Sequence, residues 1–181
     1  MNLPNKLTII RMCAVPVFVA CFYIPVDFNL TIAAVIFILA YLTDIYDGYY
    51  ARKHNLVTDF GKLMDPMADK LLTGSAFIML LGRGLLPPIF GELFVFIIIS
   101  REFIISGFRL VAVQKGIVIA AGALGKIKTI LQAITISVIL FGNPIFGAVG
   151  IRFDYICMAT SAVFTVWSLI DCLLKNKKVV S

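Results

Sequence analysis

Six apolar runs follow one another along this chain, at residues 7–24, 29–50, 62–81, 90–113, 126–141 and 154–174. Each is close to the length a helix needs to cross the hydrocarbon core of a bilayer. Composition points the same way: 61% of the 181 residues are hydrophobic and 14% are charged, against roughly 45–50% and about 25% in soluble domains. A soluble fold of this size needs far more polar surface. The chain is therefore expected to be an all-α integral membrane protein with six transmembrane helices, forming a single domain over residues 1–181. The opening segment "MNLPNKLTIIR" has a polar side at Asn2, Asn5 and Lys6 and an apolar side at Leu3 and Leu7. It reads equally as a short interfacial helix along the headgroups and as an ordinary polar lead into the first span. No small-residue cleavage site follows an apolar h-region, so no cleaved signal peptide is expected.

Turn residues punctuate the runs. "PVDFN", "GRGLLPP" and "GNPIFGAVG" separate the first and second, third and fourth, and fifth and sixth helices. Only Arg83 and Arg152 carry positive charge on that side. The other side holds Lys6, Arg11, Arg52, Lys53, Lys62, Lys115, Lys126, Lys128, Lys175, Lys177 and Lys178. The positive-inside rule then puts both termini and the loops at 51–61 and 114–125 in the cytoplasm. The net charge of +6 fits such loops and anionic headgroups; no soluble basic face for nucleic acid is visible. Cys13, Cys21, Cys157 and Cys172 form no CxxC pair and lie in apolar runs, where each is expected to be a small buried hydrophobe.

Acids stand out against this background. Asp44 and Asp47 are three apart near the cytoplasmic end of the second helix, and Asp65 and Asp69 are four apart at the start of the third. Each pair therefore shares a helix face, and the short loop between lets the pairs oppose one another. Four close carboxylates repel strongly at low dielectric, and intramembrane acids are rare and usually functional. The nearby cations are too few to neutralise all four. A divalent cation would do so, and oxygen-only ligation suits Mg²⁺, Mn²⁺ or Ca²⁺ rather than Zn²⁺. Two ions held this way can clamp the attacking and leaving oxygens of a phosphoryl transfer. The companions fit phosphate chemistry: Gly48 and Ala51 keep one face of the second helix small, Arg52 offers a planar fork, Thr58 a loop hydroxyl and Gly61 a flexible turn before the third helix. Taken singly, these residues have plainer readings. Asp65-Pro66 has the pattern of an N-cap followed by an N1 proline, and Arg52 and Lys53 that of positive-inside residues.

Taken together, the residues from Asp44 to Asp69 resemble the CDP-alcohol phosphotransferase family, whose pattern is D-x2-D-G-x2-A-R-x8-G-x3-D-x3-D. All eight fixed positions are present: Asp44, Asp47, Gly48, Ala51, Arg52, Gly61, Asp65 and Asp69. Two further stretches, "NLPNKLTIIRMCAVPVF" at 2–18 and "REFIISGFRLVAVQKGIVIAAGALGKIKT" at 101–129, resemble the bacterial phosphatidylglycerophosphate synthases within it. The resemblance implies the family's fold, a homodimer, and transfer of a phosphatidyl group from CDP-diacylglycerol to an alcohol with release of CMP. It implies a divalent metal, Mg²⁺ or Mn²⁺, as two ions per site on Asp44, Asp47, Asp65 and Asp69. It makes Asp69 the general base, although Asp69 as ligand alone stays open. Asn5, Thr8, Gly48, Ala51, Arg52, Thr58 and Gly61 then fall to the CDP-diacylglycerol.

The acceptor alcohol is a separate question. Arg101 and Arg109 lie eight apart in an apolar run, within about 80° on a helix face. Lys126 and Lys128 open the fifth helix. These four suit the phosphate of sn-glycerol 3-phosphate; choline would call for aromatic faces. Lys115, Lys126 and Lys128 as positive-inside residues, and Glu102 as a simple partner of Arg101, are the plainer readings. Asp171 and Lys175 read as a terminal i,i+4 pair and His54 as a solvated loop residue. The expected protein is a multi-pass enzyme of a bacterial-type cell (inner) membrane with its active site facing the cytoplasm. The rivals are another acceptor, inositol phosphate or serine, and a divalent-cation transporter.

Overall fold

The computed structural model describes residues 2–54, 58–117, 119, 122–142 and 152–177. These form six helices: α1 Leu3–Cys21, α2 Asn29–Lys53, α3 Asp59–Gly82, α4 Phe90–Gln114, α5 Ala123–Leu140 and α6 Phe153–Lys175. The turn expected at "GNPIFGAVG", apart from its first glycine, lies outside the described residues, as does Lys178.

Local chemistry sets two of the starts. The Asn2 side chain accepts the Asn5 N–H at 3.2 Å and Pro4 occupies the first turn. From there α1 runs unbroken, so the opening segment is the first turns of a long helix and not a separate interfacial one. Thr58 caps α3 by accepting the Gly61 N–H at 3.0 Å. That cap begins α3 three residues earlier than the apolar run implied. Asp65 is therefore no N-cap, and Pro66 sits inside the helix.

Among the described residues, four helices are long and apolar enough to cross a membrane: Pro4–Cys21, Asn29–Ala51, Ala123–Leu140 and Phe153–Lys175. The expectation of six such spans is met by helix number but not by apolarity. α3 and α4 are as long, at 24 and 25 residues, yet α3 carries Asp65, Asp69 and Lys70 and α4 carries Arg101, Glu102 and Arg109. α2 gathers its charges at its C-terminal end, whereas those of α3 and α4 interrupt the apolar stretch.

α1 packs on α2 and α3, α5 on α2 and α6, and α4 on α3 and α6. Phe77 and Phe94 meet edge to face at 5.2 Å, and Phe18 and Phe37 lie 6.1 Å apart. Fully buried Ala33, Ala34 and Ala76 let backbones approach. α5 and α6 join through polar groups: Gln132 Nε2 donates to Thr165 Oγ1 at 3.4 Å and Thr135 Oγ1 to the Cys157 carbonyl at 3.2 Å. The outer surface is apolar, with Ile10, Phe96, Phe103 and Trp167 all more than half exposed. Such a surface suits lipid and not water. Cys21 and Cys157 are buried as expected, whereas Cys13 faces outward and Cys172 is half-buried, because neither sits on its helix's packed face. At the far end Arg83 donates to the Phe22 carbonyl and lies over the Tyr23 ring at 4.3 Å, joining the turns that follow α1 and α3.

Gly91 illustrates the packing limit. A Cβ there would stand 2.5 Å from the Leu86 Cβ, which is fixed to the backbone. Gly91→Ala is expected to destabilise by about 1–3 kcal/mol, seen as a lower melting temperature in detergent. An unchanged melting temperature would mean that the turn before α4 yields freely.

Candidate active site

Three helix segments converge at one end of the bundle: the start of α1, the end of α2 and the start of α3. Arg11 of α1 lies between the first acidic pair. Its two terminal nitrogens each hold one carboxylate, NH1 to Asp44 Oδ1 and NH2 to Asp47 Oδ2, both at 2.5 Å. The Arg11 side chain is only 1% exposed and that of Asp47 only 3%. The acids are expected to be short of counter-charge, with Arg11 only one of the cytoplasmic cations; the buried guanidinium answers two of the four. The signal available is a cation near the start of the apolar run 7–24, which rarely sits there without a partner.

One turn earlier on α1, Thr8 donates to Asp65 Oδ1 at 2.5 Å and to the Pro4 carbonyl at 3.1 Å. Another turn earlier, Asn5 Oδ1 accepts the Thr58 hydroxyl at 2.8 Å, while Thr58 Oγ1 accepts the Gly61 N–H. Asn5 and Thr8 thus join the acidic end through Thr58 and Asp65. Thr58 is a helix cap and not a free loop hydroxyl. Gly61 is no flexible turn: it is buried in the first turn of α3. A Cβ there would lie 3.3 Å from both Asn5 Oδ1 and Thr58 Oγ1, and 3.5 Å from Asp65 Oδ2. Close approach of α1 is what requires glycine. Gly48 and Ala51 are half-buried on α2. Arg52 belongs to α2, but its side chain lies outside the described residues.

Asp69 faces a different space. With Lys70 of α3, Glu102 and Ser106 of α4, and Lys128 and Gln132 of α5, it forms the polar wall of a cavity of about 490 Å³; the remaining walls are largely apolar. Glu102 holds Lys128 at 2.5 Å and Arg101 at 3.0 Å, and Arg101 also donates to Ser168 Oγ of α6 at 3.1 Å. Glu102 is thus the partner of Arg101 that its sequence position suggested, and it serves α5 as well. Lys70 Nζ donates to Ser106 Oγ at 2.5 Å.

The four cations expected at an acceptor site do not form one set. Lys128 lines the cavity. Arg101 is buried behind Glu102. Arg109 is half-buried, with an Nε that has no hydrogen-bond partner among the described residues. Lys126 is exposed, because two residues along a helix turn it about 200° from Lys128. Among the described residues no three His, Cys, Asp or Glu gather as a metal-holding group. The acids stand instead as Asp44 and Asp47 on Arg11, Asp65 on Thr8, and Asp69 in the cavity. The plainer expectations hold elsewhere: Lys175 pairs with Asp171 at 2.8 Å, and exposed His54 lies tilted against Tyr50, with ring centroids 4.3 Å apart.

A family model described as CDP-alcohol phosphatidyltransferase matches residues 1–167. A Bacillus subtilis (strain 168) protein is 42% identical over 97% of this chain and 95% of its own length. A Rickettsia bellii (strain RML369-C) protein is 43% identical over 78% of this chain and 76% of its own. One from Shigella flexneri serotype 5b (strain 8401) is 34% identical over 95% and 93%. All three are named CDP-diacylglycerol–glycerol-3-phosphate 3-phosphatidyltransferase.

Proposed function

The chain belongs to the CDP-alcohol phosphatidyltransferase family, and from that premise we propose that it transfers the phosphatidyl group of CDP-diacylglycerol to sn-glycerol 3-phosphate. The products are phosphatidylglycerol phosphate and CMP, in phospholipid biosynthesis. The observation that carries this reading is the likeness over nearly the whole chain to relatives named for that reaction, joined to the unbroken spacing from Asp44 to Asp69.

The acidic end fits a divalent metal, Mg²⁺ or Mn²⁺. Its donors are all carboxylate oxygens, and a guanidinium already stands in for a cation between Asp44 and Asp47. Asp44, Asp47, Asp65 and Asp69 would hold it, as two ions. When bound, it neutralises the diphosphate and stabilises the oxygen that leaves with CMP. The chain's own residues do the rest. Asn5, Thr8, Gly48, Ala51, Arg52, Thr58 and Gly61 receive the CDP moiety, the small residues letting it lie against α2 and α3. Arg101, Arg109, Lys126 and Lys128 draw the anionic acceptor; Lys128, in the cavity with Asp69, touches it, and the others supply field. Asp69 takes the proton of the acceptor hydroxyl as its oxygen bonds to the β-phosphorus and the bond from that phosphorus to CMP breaks. The hydroxyl adds one P–O bond, CMP leaves with the other electron pair, and the proton rests on the Asp69 carboxylate.

The same reading includes the family's fold with six spans, a homodimer, and a bacterial-type cell membrane with site and termini on the cytoplasmic side. The distribution of Lys and Arg supports that orientation. To test the function, the purified protein is given CDP-diacylglycerol and Mg²⁺ or Mn²⁺, and CMP release is measured with each acceptor. Glycerol 3-phosphate is expected to stimulate release strongly. Release with inositol phosphate or serine but not glycerol 3-phosphate would transfer the reading to that acceptor. Metal uptake by proteoliposomes without CMP release would mean a transporter.

A further inference from the structure

The cavity beside Asp69 holds two ammonium groups in very different circumstances. Lys128 is ion-paired to Glu102 at 2.5 Å, and Glu102 already serves Arg101 as well. Lys70 has only a hydroxyl: its Nζ donates to Ser106 Oγ at 2.5 Å, and that hydroxyl donates in turn to the Glu102 carbonyl at 2.5 Å. Among the described residues Lys70 forms no ion pair. It is half-buried and stands with Asp69, Met67, Leu71, Gly74 and Ile78 on the part of α3 that walls the cavity. A half-buried ammonium held only by a hydroxyl is free to receive an anion that enters the cavity. Lys70 follows Asp69 directly, about 100° round the helix, and both line the cavity.

We infer that Lys70, which lines the same cavity as Lys128, is a binding residue for the phosphate of the acceptor, and that it sets the preference for an anionic alcohol. This rests on the reading of the reaction given above. Ser106 is the anchor that holds the ammonium toward the cavity when it is empty. An acceptor whose phosphate lies between Lys70 and Lys128 carries its hydroxyls toward Asp69. The phosphate supplies the charge that Lys70 lacks, and Glu102 keeps Lys128 from closing onto Asp69 meanwhile. An uncharged alcohol makes neither contact.

Steady-state kinetics of CMP release with Lys70→Gln test this. Loss of one charge-assisted phosphate contact is expected to raise the KM for glycerol 3-phosphate about 10- to 100-fold. The KM for CDP-diacylglycerol should stay as it is and kcat should fall much less. Lys70→Arg should recover most of the loss. Inorganic phosphate should compete with glycerol 3-phosphate in the wild type and do so more weakly in Lys70→Gln. An unchanged KM for glycerol 3-phosphate overturns the inference, and so does a rise confined to CDP-diacylglycerol, which would move Lys70 to the lipid diphosphate. If Lys70→Gln does not fold, Ser106→Ala leaves the charge and frees its anchor; a KM for glycerol 3-phosphate raised about threefold supports the assignment and an unchanged one overturns it. A wild type that releases no CMP with glycerol 3-phosphate sinks the reaction itself, and is seen before any variant is made.

Discussion

Asp69→Asn is expected to lower kcat by about a thousandfold, within the range by which a positioned general base contributes, while the melting temperature stays close to that of the wild type. Asparagine keeps the volume and removes the charge. It cannot take a proton from the acceptor hydroxyl. The stability forecast follows from position: Asp69 borders the cavity, and among the described residues it forms no ion pair, unlike Asp44 and Asp47. Its electrostatic neighbours are of both signs, with Asp44 and Glu102 against Lys128 and Arg11. A Mn²⁺ titration of the variant separates the two roles that Asp69 can have. If it is a ligand alone, high metal concentration recovers turnover; if it is the base, turnover stays low at any concentration. Near-normal activity at ordinary metal concentrations would remove Asp69 from the chemistry.

Why so much of this site was legible in advance is a matter of period. Helical spacing alone put Asp44 with Asp47 and Asp65 with Asp69, since residues three and four apart must share a face. Run length alone gave six helices, each within a few residues of its position in the structure. What period cannot reveal is which faces meet. Thr8 reaches Asp65 across 57 residues and Arg11 reaches Asp44 across 33, so the part α1 plays was visible only as an uneven scatter of polar residues at the start of an apolar run. Gly61 was misjudged because glycine near a helix start suggests a turn, whereas the Thr58 cap draws it into the helix and the nearness of Asn5 makes a side chain unwelcome. The acceptor cations were grouped by angle alone. Arg101 and Arg109 do share a helix side, but eight residues separate them by about 12 Å along the axis. A single small phosphate cannot meet both at the level of Asp69. Lys70 was hidden by its neighbour: a cation directly after a motif aspartate reads as part of the motif's polar trim until the cavity wall is seen.

Arg11→Ala is expected to be the most damaging change to stability, at about 3–5 kcal/mol, the cost of removing one partner from a buried ion pair. Domains as a rule have only about 5–15 kcal/mol in hand, so the variant should express poorly and melt at a much lower temperature in detergent. The reason is specific. Asp44 and Asp47 each give one oxygen to the same guanidinium at 2.5 Å, and without it buried Asp47 faces a second carboxylate, Asp44, that is 32% exposed. Arg11→Lys should fall between, because an ammonium is a point charge and cannot present two parallel donors to two acids. A cycle with Asp44→Asn and Asp47→Asn tests the cause. If the damage comes from uncompensated charge, Arg11→Ala costs far less in the doubly neutralised background; an equal loss in both would trace it to packing of the side chain instead. Metal gives the second readout. A cation that the same carboxylates can hold should replace part of what the guanidinium supplied, so Mn²⁺ is expected to raise the melting temperature of Arg11→Ala more than that of the wild type. Equal shifts in the two would mean that Arg11 and the metal do not share these acids.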